Sequence, residues 1–183
     1  MVSRPNVNGY HYLSCQANPA PGTCRSIRMI TATTITPAYV TELPCMNRVI
    51  AAAVDSWPLE ERVKRLSLPV LTYNETDLAH GHALVARIDG ETVGMALWTE
   101  GPGDDATLHG LYVDPAYHGQ RIGQRLMDAA IEDAFISGAR GVLVRAERVA
   151  RGFFQRQGLS QLDTGPDGYP HTFYRQNPRQ EAA

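Results

Sequence analysis

The sequence lacks the features that mark several large classes of protein. It contains no apolar run near the roughly 20 residues that a membrane-spanning helix needs, and its first residues lack the basic start and apolar core of a secretory signal. No cluster of Lys or Arg stands out in the 183 residues, and the formal net charge is −2. Nothing therefore points to nucleic acid or to an anionic membrane. We expect a cytoplasmic protein with neither kind of partner.

Cysteine is also scarce. Cys15, Cys24 and Cys45 are an odd number, and their spacing is not that of a metal site. Free thiols in a reducing compartment are favoured over a disulfide between Cys15 and Cys24. We expect no metal in the functional site.

The chain instead has a long patterned region that follows a stretch of different composition. Residues 1–28 are rich in Pro, Asn and Gly without sustained periodicity, so we expect a poorly ordered N-terminal extension. Residues 29–177 form the predicted domain, and residues 178–183 form a C-terminal tail. A single domain suits this length.

Within the domain, strand-like and helix-like patterns alternate. Asp89-Gly90 between two β-rich runs is a strong hairpin signal, and Pro44 predicts a break or kink in the first helix. The order β-α-α-β-β-β-α-β-α-β-β predicts an α/β fold, of the α+β mixed-sheet kind, with helices on the faces of the sheet. The predicted elements are 30–36, 37–56, 59–68, 82–89, 92–99, 106–113, 119–137, 141–146, 148–157, 159–163 and 172–175.

The segment from Leu108 to Met127 indicates chemistry. A strand ends at Val113, the chain turns, and a long amphipathic helix follows. The free N–H groups of a helix's first turn form a ready site for an anion such as phosphate. Gly119 lets the backbone approach a phosphate, and Gly123 leaves room for a bulky ligand. The signatures of a P-loop and of a Rossmann dinucleotide site are both absent.

This segment, with Leu111-Tyr112-Val113-Asp114-Pro115 leading into it, resembles motif A of the GNAT N-acetyltransferase superfamily, in which Gln/Arg-x-x-Gly-x-Gly/Ala binds the pyrophosphate of acetyl-CoA. His118 and Arg121 depart from that pattern. Residues 142–146 and 150–159 resemble the strand and helix that follow in the family. The resemblance implies the GNAT acyl-CoA N-acyltransferase fold, with acetyl-CoA as co-substrate. The residues it implies for binding acetyl-CoA are Leu111, Tyr112, Val113, His118, Gly119, Gln120, Arg121, Ile122, Gly123 and Gln124.

Side chains for the catalytic steps are less clear from the sequence. His109 is the candidate general base, since an ordinary histidine has a pKa near 6.5; the competing interpretation is a structural histidine held in a hydrogen bond, or a histidine on the far face of the sheet. Phe154 stands where many family members carry a tyrosine that protonates the departing thiolate. Tyr169 or Tyr174 is a candidate for that role, although a packing aromatic is the more common use of such a residue.

The predicted function is transfer of an acetyl group from acetyl-CoA to a primary amine on a small molecule. Two alternatives stay open: acetylation of protein N-termini or lysines, and a non-catalytic module that binds CoA. Trp57 and Tyr73 lie near the predicted first two helices, which shape the acceptor pocket in the resembling family. The resemblance also makes a homodimer one expectation.

Overall fold

The computed structural model describes residues 32–101, 103–162 and 171–180. The predicted extension over residues 1–28 lies outside these ranges, as does Tyr169. In chain order the elements are β1 (Thr34–Pro37), α1 (Leu43–Asp55), α2 (Glu61–Leu71), α3 (Glu75–His80), β2 (His82–Ile88), β3 (Glu91–Glu100), β4 (Ala106–Val113), α4 (Ile122–Ile136), β5 (Gly141–Ala146), α5 (Arg151–Arg156), β6 (Ser160–Gln161) and β7 (His171–Gln176).

The strands form one mixed sheet in the order β1-β2-β3-β4-β5-β7-β6. Only β4 and β5 run parallel, and every other described pair is antiparallel. One face of the sheet packs on α4 through a core that includes Leu126 and Met127. The other face packs on α1 through Met46, Val49 and neighbours. We call these the α4 face and the α1 face. This arrangement confirms the predicted α/β mixed-sheet fold class.

Local sequence signals account for several elements. Asp89 and Gly90 adopt φ values of 50° and 83°, as the tight hairpin turn between β2 and β3 requires. Strands β4 and β5 have the predicted bounds. Among the described residues no helix combines the length and the apolar character that crossing a bilayer needs.

The predicted order of elements misses α3, which lies between α2 and β2. Six residues are too few to show helical periodicity, but a capping box marks the start: the Asn74 side chain accepts from the amides of Thr76 and Asp77, and the Asp77 carboxylate accepts from the Asn74 amide. The predicted start of the first helix at residue 37 is wrong as well. A 3-10 turn over Val40–Glu42 changes into α1 at Leu43, directly before the predicted break, and Pro44 lies in the first turn of α1, where no N–H is needed.

A β-bulge in β4 changes which side chains share a face. Trp98 pairs with Leu108 and Leu97 pairs with Gly110, so His109 is an extra residue on its strand. Leu108 belongs to the core on the α4 face, and Leu111 and Val113 pack against that same core. Strict alternation would have placed Leu111 and Val113 on the opposite face. The bulge therefore sets the orientation of the strand that leads into the family-like turn.

The packing of β3 against α4 and β4 depends on the absence of a side chain at Gly94, on β3. A Cβ there would lie 2.8 Å from Leu126 Cδ1 and 3.2 Å from the carbonyl oxygen of Tyr112. We predict that Gly94→Ala lowers the free energy of unfolding by about 1–3 kcal/mol, because overpacking displaces fully buried neighbours. Gly123→Ala is the matched control, since its Cβ would meet its neighbours at 3.5 Å or more. Urea unfolding of both variants makes the comparison; equal stabilities would contradict it.

Candidate active site

The site begins where β4 and β5 separate. The two parallel strands pair over Ala106–Val142, Thr107–Leu143 and Leu108–Val144, and no pairing follows although both strands continue. Beyond Leu108 and Val144 the strand edges that face each other therefore leave backbone groups free for a ligand. We call the last paired residues, Leu108 and Val144, the vertex of this divergence.

A cleft of about 710 Å³ runs along the divergence. It extends from the turn before α4 to Trp57, in the α1–α2 connection, and to Leu71, the last residue of α2. His109 and all the predicted acetyl-CoA-binding residues except Gln120 line this cleft. The structure thus brings together residues that the sequence places on a strand, a turn and a helix.

The turn before α4 presents a run of unused backbone donors. The Asp114 side chain accepts from the amide of Ala116 at 2.9 Å and holds a short 3-10 turn over Pro115–Tyr117. The first backbone hydrogen bond of α4 runs from Arg125 N–H to the carbonyl of Arg121, at 3.1 Å. Among the described residues, the amides of residues 119–124 have no hydrogen-bond acceptor. Such a row of donors at a helix start fits a phosphate group.

The two departures from the family pattern have structural explanations. Arg121 adopts φ 61° and ψ 15°, the left-handed conformation that glycine reaches without cost, and this is the position where the family usually carries glycine. The His118 ring turns back, with Nε2 at 3.1 Å from the carbonyl oxygen of Val113. Both departures leave the backbone path through the turn intact.

Cationic side chains add to the affinity of the cleft for anions. Arg121, Arg145 and Arg156 line it, and none of the three takes part in an ion pair within the described residues. Glu147 is the acidic side chain in the lining. A polyanion such as CoA fits this balance of charge.

His109 lies at the vertex, on the α1 face. Its Nε2 is 2.9 Å from Thr99 Oγ1, and the Thr99 hydroxyl donates to the carbonyl of Glu100 at 3.2 Å. Both contacts are satisfied together when the Thr99 hydroxyl donates to Glu100 and Nε2–H donates to Thr99, which is the tautomer that leaves the lone pair on Nδ1. Partial burial and the nearby Arg145 guanidinium lower the pKa of His109 from its ordinary value. The imidazole is therefore neutral at pH 7, as a general base must be.

Arg145 was not anticipated from the sequence. It stands in the otherwise apolar strand Gly141–Ala146, directly after the vertex residue Val144. Val144 and Ala146 belong to the core on the α4 face, so the side chain between them projects to the α1 face. The sequence did contain a signal for Arg145: it is the single arginine in an otherwise apolar predicted strand, at a position whose side chain points away from the core.

Of the two tyrosines proposed as proton donors, Tyr169 lies outside the described residues and Tyr174 does not line the cleft, whereas Phe154 does. Phe154 is only 4% exposed and packs against Phe153 and Phe173, with ring centroids 5.1 and 5.7 Å apart. Tyr174 donates its hydroxyl to Asp105 at 3.1 Å, near the opposite end of β5, so it does not replace the family tyrosine. The cleft-lining hydroxyls in the described part of the chain belong to Ser56, Tyr112 and Tyr117.

A β4–β5 divergence beside an anion-binding helix start defines the class of acyl-CoA-binding transferases. The model of the acetyltransferase (GNAT) family matches residues 47–159, more than half of the chain. The chain belongs to this family. No curated protein sequence matches it.

Solved structures share the fold at low sequence identity. PaiA N-acetyltransferase from Thermoplasma acidophilum, in complex with coenzyme A, has a TM-score of 0.70 at 17% identity, over 80% of this chain and 99% of that one. A GNAT acetyltransferase from Brucella melitensis with acetyl-CoA has a TM-score of 0.58 at 21% identity, over 79% and 97%. The ribosomal-protein-S18-alanine N-acetyltransferase from Escherichia coli has a TM-score of 0.55 at 20% identity, over 78% and 91%.

The left-handed backbone at Arg121 can be separated from its charge by substitution. We predict that Arg121→Gly is about 0.5–1 kcal/mol more stable to unfolding than Arg121→Ala, because alanine keeps the strain that glycine relieves. Both variants lose the guanidinium, so both should bind CoA more weakly than the wild type and by a similar factor. Urea unfolding and calorimetry measure the two effects; an alanine variant as stable as the glycine variant would contradict the backbone assignment.

Proposed function

We propose that the protein transfers an acetyl group from acetyl-CoA to a primary amine on a small molecule. The observation that carries this proposal is the continuity of one cleft. It joins the unpaired amides of residues 119–124, the divergence of β4 and β5, and His109 at the vertex. Acetyl-CoA supplies the activated acyl group, and the cleft supplies binding, orientation and a base.

The backbone performs the binding steps. The amides of residues 119–124, with Arg121 beside them, bind the pyrophosphate by hydrogen bonds that require no particular side chain. Because Asp114 N–H donates to Val93 on β3 and N–H directions alternate along a strand, Leu111 and Val113 direct their N–H groups to the open edge of β4, where they can donate to the thioester carbonyl. Donors of this kind stabilise the oxyanion of acyl transfer, and losing one costs on the order of 10²–10³ in rate elsewhere.

His109 performs the proton step. Nδ1 takes a proton from the acceptor ammonium, which leaves the amine lone pair free to attack the acyl carbon. The nitrogen–carbon bond forms, the carbon–sulfur bond breaks, and the nitrogen loses its second proton to solvent as the departing thiolate takes one from solvent. Because Phe154 carries no hydroxyl, no side chain is assigned to that last step.

Two other functions remain as alternatives. Acetylation of a protein N-terminus is favoured by one observation, the fold similarity to the S18-alanine N-acetyltransferase. A non-catalytic CoA-binding module is favoured by the burial of Phe154 at the position of the usual acid. The cleft and its base support the small-molecule enzyme best.

The direct test combines binding and turnover. Calorimetric titration should show that acetyl-CoA binds, and a thiol-release assay across a panel of primary amines should show turnover above the no-amine rate. Peptides with free N-termini or lysines form the comparison arm. Turnover with peptides alone would select the protein acetyltransferase, binding without turnover would select the module, and no binding at millimolar acetyl-CoA would refute all three.

The base assignment makes a separate prediction about pH. We expect His109→Ala to lower kcat/KM by about 10²-fold, a typical loss for a general base. In the wild type, kcat/KM should fall as the pH drops through the pKa of His109. We call this fall the acidic limb of the pH profile. Its midpoint should lie below the ordinary histidine pKa of about 6.5, because burial and Arg145 lower the pKa of His109.

The acidic limb should disappear in His109→Ala. It should move upward in Arg145→Gln, since Arg145 is the charged group that lowers the pKa of His109 and the facing residue on β3, Thr99, is uncharged. A limb unchanged in both variants would show that His109 is structural.

A further inference from the structure

Arg145 adds to the positive charge of the cleft and lowers the pKa of His109, but acetyl transfer as described above assigns it no contact with acetyl-CoA or with the amine. Arg145 follows Val144 on β5, and His109 follows Leu108 on β4. Leu108 and Val144 form the last pair of the parallel ladder. Both side chains project to the α1 face. Arg145 and His109 therefore flank the vertex from opposite strands, beside the place where the amine must react.

The guanidinium is available to a ligand. Arg145 is exposed, and within the described residues it takes part in no ion pair. A guanidinium presents five N–H donors in a planar fork that matches a carboxylate. Its charge reaches His109, whose pKa it lowers, so the group lies near the reacting atoms and not at a remote rim.

We propose that Arg145 binds a carboxylate of the acceptor, and that the acceptor is a primary amine whose carboxylate lies close to its amino group, as in amino acids. This assignment rests on the proposed acetyl transfer to an amine, and it names the class of amine. Polyamines and other polycations are disfavoured, because the arginine repels them at the vertex.

The test uses matched pairs of acceptors, each an α-amino acid and its carboxamide, in the thiol-release assay at pH 8, where His109 is neutral. The wild type should prefer the acids by at least about ten-fold in kcat/KM. Arg145→Gln should lower kcat/KM for the acids by about 10–100-fold, the usual effect of a charge-assisted hydrogen bond, and leave the amides within about three-fold. Arg145→Lys should retain part of the preference.

Arg140→Gln is the control variant, since Arg140 is an exposed arginine that pairs with Asp104 at 3.0 Å, before the start of β5 and outside the cleft lining. It should leave both kinds of acceptor unaffected. Equal use of acids and amides by the wild type, or an equal loss of both in Arg145→Gln, would overturn the carboxylate assignment and leave the transferase proposal intact. If no amine raises thiol release above the rate measured without amine, the proposed function is overturned and this inference with it.

A measurement without turnover separates the two claims further. The imidazole pKa of His109, followed by NMR in the CoA complex, should rise when an amino acid binds to the wild type, because the carboxylate offsets the charge of Arg145. The amide analogue should cause no such rise, and neither should the amino acid in Arg145→Gln. If the pKa of His109 in the wild type does not change when the amino acid binds, the proposal is contradicted.

Discussion

The loss of pairing between β4 and β5 is the constraint on which the rest of the site depends. Two parallel strands that pair over three residues and then diverge leave unpaired backbone groups inside the molecule, and such groups require partners. The cleft supplies the space for a ligand to provide them. The bulge at His109 lies at the start of this divergence, and it turns Leu111 and Val113 toward the α4 core. One irregularity thus shapes the strand edge and places the candidate base.

Some steps of the proposed reaction use backbone groups and others use side chains. This difference explains which departures from the GNAT sequence pattern the site can tolerate. In the proposed function, phosphate binding at the start of α4 uses amides, so His118 and Arg121 can replace the usual residues once the backbone path is kept. Arg121 holds a conformation in which glycine is the unstrained choice. Thiolate protonation in many family members uses a tyrosine side chain, and there the departure has a consequence: Phe154 packs against Phe173, and in the proposed reaction the proton comes from solvent.

Much of the fold was readable from local signals, and the reasons for the failures are physical. Strands β4 and β5, the Asp89-Gly90 hairpin and the family-like turn each carry a pattern within a few residues. Helix α3 is too short for periodicity and is marked only by its Asn74 cap. The bulge at His109 and the position of Arg145 at the vertex arise from pairing between strands, which no local pattern encodes. The bounds proposed for the domain and its tails remain predictions.

The central claim is that the divergent strands and the start of α4 bind CoA through their backbone amides. Amide chemical shifts recorded during a CoA titration test it most directly. The account predicts saturable changes that are largest at residues 119–124 and at residues 109–113, with smaller ones at the remote end of the sheet around Gly141 and Tyr174. Changes centred elsewhere on the protein, or none at millimolar CoA, would contradict it.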